Sequence, residues 1–237
     1  MACVNIKSRK AWGFKFKIMK FFQAYLDKLK EGLEKMDLTE VQHTVDVLFN
    51  ALTEDRLVFI IGNGGSASTA SHMACDLGKN TVIDLKGEEK RFRVICPTDN
   101  VATTTAYAND VGFDSIFEQP LRNMLSKDDV VIAISASGNS MNVVNAVEYS
   151  KSKGAITIGF VGFSGGKLKE ICDHVVHFAE DHYGRSEDAH LILNHMIRDA
   201  VMERKTNMMR EQQGLSADLS HETQNTSQTK SVWKKRL

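Results

Sequence analysis

The feature that most constrains this chain is a pair of glycine- and serine-rich turns, Gly62-Asn63-Gly64-Gly65-Ser66 and Ser135-Ala136-Ser137-Gly138-Asn139-Ser140. Each follows an apolar run, Leu57–Ile61 or Val130–Ile134, and each leads into a helical pattern. An uninterrupted apolar run of that length is a strand buried on both faces, which is the signature of a parallel sheet under helices. Each turn therefore delivers the chain from a strand to a helix N-terminus. Free backbone N–H groups and the positive end of the helix dipole converge there, and the serine hydroxyls add donors, so both turns are suited to an anion. Two such turns in one sheet point to one phosphate pocket.

The rest of the chain repeats the pattern. Strand-like runs fall near 56–61, 91–96, 129–134, 155–160 and 174–178, and helical patterns begin near Ser66, Asn100, Ser140 and Ser186, with another helical stretch at 113–125. Two amphipathic helices precede the first strand, one carrying Phe21, Phe22, Tyr25, Leu29 and Leu33, the other running from Thr39 to Leu52 with its N-cap in the Thr39–Gln42 region. Strand–helix alternation with right-handed crossovers predicts an α/β fold: a doubly wound three-layer α/β/α sandwich on a mostly five-stranded parallel sheet, with helices ahead of it. A chain of 237 residues with 42% hydrophobic content fills one such domain, assigned to 19–210. Residues 1–18 interleave basic and aromatic residues without a signal-peptide core and read as an unstructured extension; a basic membrane-surface segment is the competing reading. Residues 211–237 are polar and read as a disordered tail.

Charge and cysteine usage exclude several classes. With 30 basic and 30 acidic residues, nothing in the net charge calls for nucleic acid or a membrane surface. The four cysteines form no CxxC pair and read as reduced thiols, which places the chain in the cytoplasm. The first turn fits neither the dinucleotide GxGxxG pattern nor the GxxxxGK[ST] P-loop. Taken alone it is equally a tight strand-to-helix connection; the second turn, with more hydroxyls than capping requires, favours a shared phosphate site.

Two further groups carry candidate chemistry. His72 and Asp76 are spaced i, i+4 and share a helix face, where two side chains can reach one metal or one substrate. The segment Arg185-Ser186-Glu187-Asp188-Ala189-His190 opens a helix that Ser186 could cap, and His195 follows the apolar run Leu191–Leu193.

In this order and spacing, with Thr98-Asp99-Asn100 and Ala108-Asn109-Asp110-x-Gly112-Phe113 between them, these motifs resemble the sugar isomerase (SIS) domain, and within it the phosphoheptose isomerases, over residues 19–205. The resemblance implies a cytoplasmic aldose–ketose isomerase of sedoheptulose 7-phosphate, a homotetramer with sites between subunits, one zinc per subunit, and a place in bacterial surface-polysaccharide heptose synthesis. By motif position, Asn63, Gly64, Gly65, Ser66, Asn109, Asp110, Ser135, Ala136, Ser137, Ser140 and Glu187 would contact the sugar phosphate. His72, Asp76, Glu187 and His195 would hold zinc, with Asp76 and His195 as the acid–base pair. The chain has Asp76, Glu187 and Ala136 where the family carries glutamate, glutamine and threonine. The competing reading is a non-catalytic SIS module that binds a sugar phosphate or a protein partner. Eight residues of continuous helix span about 12 Å, so Glu187 and His195 of one chain reach a common ion only if Glu187 lies ahead of the regular helix or a second subunit contributes.

Overall fold

The structure is a computed structural model and describes residues 9–212, with side chains over 18–211. Helix α1 (Arg9–Glu34) and helix α2 (Leu38–Thr53) precede β1 (Leu57–Gly62) and α3 (Gly65–Cys75), which runs into a π-helical turn at Asp76–Asn80. Strand β2 (Arg93–Ile95), α4 (Val101–Asp110), α5 (Glu118–Met124), β3 (Val130–Ser135), α6 (Met141–Ser152), β4 (Ile156–Val161), α7 (Gly166–Ile171), β5 (His174–His177) and α8 (Tyr183–Gln212) complete the chain. The five strands pair in parallel in the order β2-β1-β3-β4-β5, the flavodoxin-like doubly wound arrangement.

The core divides by strand alternation. Val58 and Ile60 of β1, with Val130, Ile132 and Ile134 of β3, face a layer made by α2, α3 and α8. Phe59 and Ile61, with Val131 and Ala133, face Ile116, Phe117 and Leu121 and the helix α6 on the other side. Successive side chains point to opposite faces, so a strand covered on both must be apolar throughout, as β1 and β3 are. All six residues of each are buried.

The expected strands occur within two residues of their assigned positions. Three local expectations are corrected. Helix α1 begins at Arg9, so residues 9–18 carry helical backbone where an unstructured extension was expected; with no proline ahead of Glu34, the helix begun by the Phe21–Leu33 pattern propagates toward the N-terminus, adding one hydrogen bond per residue. The cap of α2 is Asp37, whose side chain accepts from the Thr39 N–H at 2.8 Å. Ser186 lies inside α8, fully buried, with its hydroxyl donating to the Glu180 carbonyl at 3.3 Å. The expected tail at 211–237 and residues 1–8 fall almost wholly outside the described residues.

Two ties hold the outer helices to the sheet layers. Tyr25 of α1 donates its hydroxyl to Asp188 of α8 at 2.5 Å, and desolvation, followed by that carboxylate, pushes the phenol up to about 12. Lys205 of α8 is buried, donates to the carbonyls of Thr81 at 3.1 Å and Lys90 at 2.8 Å, and pairs with Glu89. A buried ammonium needs its donors satisfied, and this one fastens the connection between the π-helical turn and β2 onto α8.

Candidate active site

In an open parallel sheet, ligands bind outside the carboxyl ends of the strands, where the strand order reverses. Here that point lies between β1 and β3, which pair from Val58↔Val130 to Gly62↔Ile134. The two glycine- and serine-rich turns leave the carboxyl ends of these two strands. Topology thus makes neighbours of two segments separated by seventy residues of chain.

Each turn has a backbone that its residue types explain. Gly64 has φ 55° ahead of α3, and Gly138 has φ 67°, both in the left-handed region that a side chain disfavours. A Cβ on Gly138 would also collide with the Gly165 carbonyl, because the turn packs against the start of α7, where Leu168 N–H donates to Gly138 O at 3.0 Å. The Ser135 hydroxyl accepts from Gly138 N–H at 3.2 Å and the Ser137 hydroxyl from Asn139 N–H at 3.3 Å. Those bonds use the oxygens as acceptors and leave the hydroxyl protons free to donate. Ser140 occupies the N-cap position of α6 yet makes no side-chain cap bond, so its hydroxyl is not consumed by capping. Ser66 is buried in the first turn of α3, and Ala136 is buried between the serines.

Asn63 and Asn142 join the two turns. Asn63 Nδ2 donates to Asn142 Oδ1 at 2.8 Å, and Asn142 Nδ2 donates back to Asn63 Oδ1 at 3.0 Å. This reciprocal pair commits the Asn63 side chain to holding the turns in register. Asn142, 2% exposed, carries no sequence signal of its role.

His72, Asp76 and His195 converge at the far end of α3. The two Nε2 atoms are 3.2 Å apart, and Asp76 Oδ2 lies 3.4 Å from His72 Nε2 and 3.8 Å from His195 Nε2. Both imidazoles are roughly half exposed, whereas Asp76 is buried. The carboxylate is fixed by two amides: Asn80 Nδ2 donates to Oδ1 at 2.6 Å and Asn194 Nδ2 to Oδ2 at 2.9 Å. Both asparagines escaped the sequence reading, although Asn80 stands i+4 from Asp76 and Asn194 directly before His195. The π-helical turn starts at Asp76, and such turns recur at functional sites because they re-aim side chains within a helix.

Glu187 lies elsewhere in the same chain. It sits inside α8, one turn past its start, and a Cβ on Gly65 would collide with its carboxylate, so that group lies against the N-terminus of α3 and outside the His72–Asp76–His195 cluster. Within one chain the cluster therefore has three members. Asn109 and Asp110 are exposed at the end of α4, where Asn109 Nδ2 donates to Asp110 Oδ1 at 2.8 Å. Helix α4 buries none of its residues.

The residues fit a divalent cation. Two imidazole nitrogens at 3.2 Å with one carboxylate oxygen beside them form an arrangement that a shared proton or a cation must hold together, and two histidines with one carboxylate are a common donor set for zinc. The carboxylate's amide partners supply the outer shell that such ligands need for orientation.

A flavodoxin-like sheet with paired glycine- and serine-rich turns at its switch point and a His-Asp-His cluster one helix away is the architecture expected of a sugar isomerase (SIS) domain, and the SIS family model matches residues 20–162. The chain belongs to that family. It is 33% identical to the phosphoheptose isomerase of Helicobacter pylori strain P12 across 184 residues, covering 78% of this chain and 93% of the relative, and 32% identical to that of Aliarcobacter butzleri, covering 76% and 93%. The solved phosphoheptose isomerase of Neisseria gonorrhoeae superimposes with a TM-score of 0.71 at 26% identity, covering 80% of this chain and 99% of that one. Within the SIS family, the chain belongs to the phosphoheptose isomerases.

Proposed function

We propose that the protein interconverts sedoheptulose 7-phosphate and an aldoheptose 7-phosphate. The observation that carries this reading is the assembly of His72, Asp76 and His195 from two distant segments, in a chain belonging to the phosphoheptose isomerases. A binding module released from catalysis needs only the two turns. It gains nothing from two imidazoles gathered round a buried carboxylate.

Phosphate binding falls to the turns. The N-termini of α3 and α6 direct free N–H groups and positive dipole ends toward the switch point, and Ser66, Ser135, Ser137 and Ser140 contribute hydroxyl donors. Gly64, with open space where a Cβ would stand, lets the substrate approach the backbone, Gly65 makes room for the Glu187 carboxylate, and Ala136 leaves room where the family carries a hydroxyl. Seven residues of helix separate Gly65 from His72, roughly 10 Å along α3, so one end of a sugar phosphate is held while the other reaches the proton-transfer groups.

Aldose–ketose isomerisation takes a proton from one of two adjacent carbons and returns one to the other, through an enediolate of the sugar. Asp76 and His195 are the pair that exchange these protons. The buried carboxylate is held still by Asn80 and Asn194, so little reorganisation accompanies transfer, and the half-exposed His195 imidazole exchanges protons with the substrate oxygens and with solvent. His72, Asp76 and His195 would hold zinc, and a bound zinc supplies Lewis-acid polarisation of the substrate oxygens. Glu187 joins that set only across a subunit boundary. Asn109 and Asp110 would meet the sugar hydroxyls in the same way, since α4 is uncovered in the single chain.

A homotetramer is the assembly this reading requires. The exposed Phe21, Phe22 and Leu26 of α1 and Val101, Val111 and Phe113 at the ends of α4 support it, because a cluster of large exposed side chains marks an interface. No helix among the described residues is long and apolar enough to cross a membrane, which agrees with a cytoplasmic role in making heptose for surface polysaccharide. The deciding experiment follows turnover of sedoheptulose 7-phosphate beside hexose and pentose phosphates. Heptose turnover is expected, and His195→Asn should lower kcat at least about a hundredfold while phosphate binding survives. Tight binding without turnover of any phosphosugar would refute the enzyme and leave the module.

A further inference from the structure

A second cluster of ligating side chains lies away from the active site, on the outer edge of the sheet. Glu40 and His43 stand i, i+3 on α2, and His174 opens the edge strand β5. Glu40 Oε1 is 3.4 Å from His43 Nδ1, Glu40 Oε2 is 3.8 Å from His174 Nδ1, and the two imidazole centroids are 5.8 Å apart. All three donor atoms lie within 4.8 Å of one another. Ligands at about 2.1 Å round a tetrahedral ion stand about 3.4 Å apart, so small side-chain rotations close the site.

Its parts are already positioned. Register with Ile158 fixes the backbone of His174, and Val175 N–H donates to Glu40 Oε2 at 3.4 Å, which ties the carboxylate to the strand carrying one imidazole while its other oxygen faces the second. The neighbouring carboxylate, Asp173, is spent on Lys151 at 2.8 Å and on Thr157. Two imidazoles and one carboxylate are a borderline-soft set with room for water in a fourth position, which suits zinc and disfavours magnesium or calcium. No feature of the phosphate turns reaches this edge.

We propose that Glu40, His43 and His174 form a second divalent transition-metal site, distinct from the His72–Asp76–His195 cluster, that cross-links helix α2 to the edge strand β5. The ion joins two elements that otherwise meet through packing and one long hydrogen bond. The proposal does not depend on the isomerase reading.

The test counts zinc. Full-length protein is stripped with a chelator, and zinc chloride is titrated back by calorimetry, with metal content measured after desalting. The wild type is expected to take two equivalents per chain, His43→Ala/His174→Ala one, and His72→Ala/His195→Ala one. The last variant isolates the second site, and zinc should raise its Tm; adding His43→Ala and His174→Ala should abolish both the binding and the shift. Both histidines of the second site are partly exposed, so their loss leaves the core intact. No zinc uptake by His72→Ala/His195→Ala, or undiminished uptake by His43→Ala/His174→Ala, overturns the proposal.

Discussion

His190 makes the stability of this fold depend on pH in a direction and size that can be worked out in advance. Its imidazole is fully buried beside Phe160, with ring centroids 6.3 Å apart, and burial pushes its pKa down from 6.5 to about 4. The native state therefore resists a proton that the unfolded chain accepts below pH 6.5. The stability from a neutral His190 is complete above 6.5 and is lost progressively as pH falls toward 4. The full shift of about 2.5 units corresponds to about 3 kcal/mol, and at pH 5, where the unfolded histidine is almost wholly charged, about 2 kcal/mol of it is already gone. Urea unfolding at pH 8 and pH 5 measures the loss, and His190→Leu supplies the control, because a side chain that cannot titrate removes this part of the slope whatever its own cost in packing. The wild type should lose about 2 kcal/mol more than His190→Leu across that interval. Equal losses would show that His190 is charged or well solvated in the native state, and the reasoning would fail.

Ser137→Asp should reduce sugar-phosphate binding below detection by calorimetry, since it sets a carboxylate where the proposed site would receive the phosphate; unchanged affinity would move the phosphate away from the two turns. Asn142→Ala leaves Asn63 without its reciprocal partner and should cost about 1–3 kcal/mol by urea unfolding, with a raised KM as the turns lose register. An unaltered KM would show that the turns are set by the strands alone. Glu187→Gln removes a negative charge from the N-terminus of α3 and should lower the substrate KM about fivefold at low salt, the equivalent of about 1 kcal/mol; an unchanged KM would show that this carboxylate does not feel the phosphate.

Most of the fold was legible because its signals are local. The runs at 57–61 and 130–134 have to be buried strands, and helices between strands force parallel pairing. The misplaced boundaries share a cause. Asp37 took the cap of α2 from Thr39 and the last helix started three residues before Ser186, because several hydroxyl and carboxylate side chains in a short window can each cap a helix, and tertiary packing chooses among them. The π-helical turn at Asp76–Asn80 left no periodic trace, being a single widened turn inside a regular helix.

The site was legible only as far as its parts are short-range in the chain. His72 and Asp76 announce themselves by helical spacing, and each strand-to-helix turn by its glycines and serines. The bonds that join the two turns and that assemble the cluster run between distant segments: Asn63 with Asn142 across 79 residues, Asp76 with Asn194 across 118, and His72 with His195 across 123. An amide has no periodicity, and an asparagine in a helix looks the same whether it faces solvent or a buried carboxylate. Glu187 shows the converse. Its motif position assigned it to the metal, yet within α8 the rise per residue keeps it at the start of the helix while His195 stands about 12 Å further along, so the carboxylate meets Gly65 at the N-terminus of α3. One long helix thus places Glu187 against the N-terminus of α3 and His195 beside His72 and Asp76 at its other end. The distance that stops these two residues from sharing an ion within one chain is the length of α8 that runs beside α3 from one of its ends to the other.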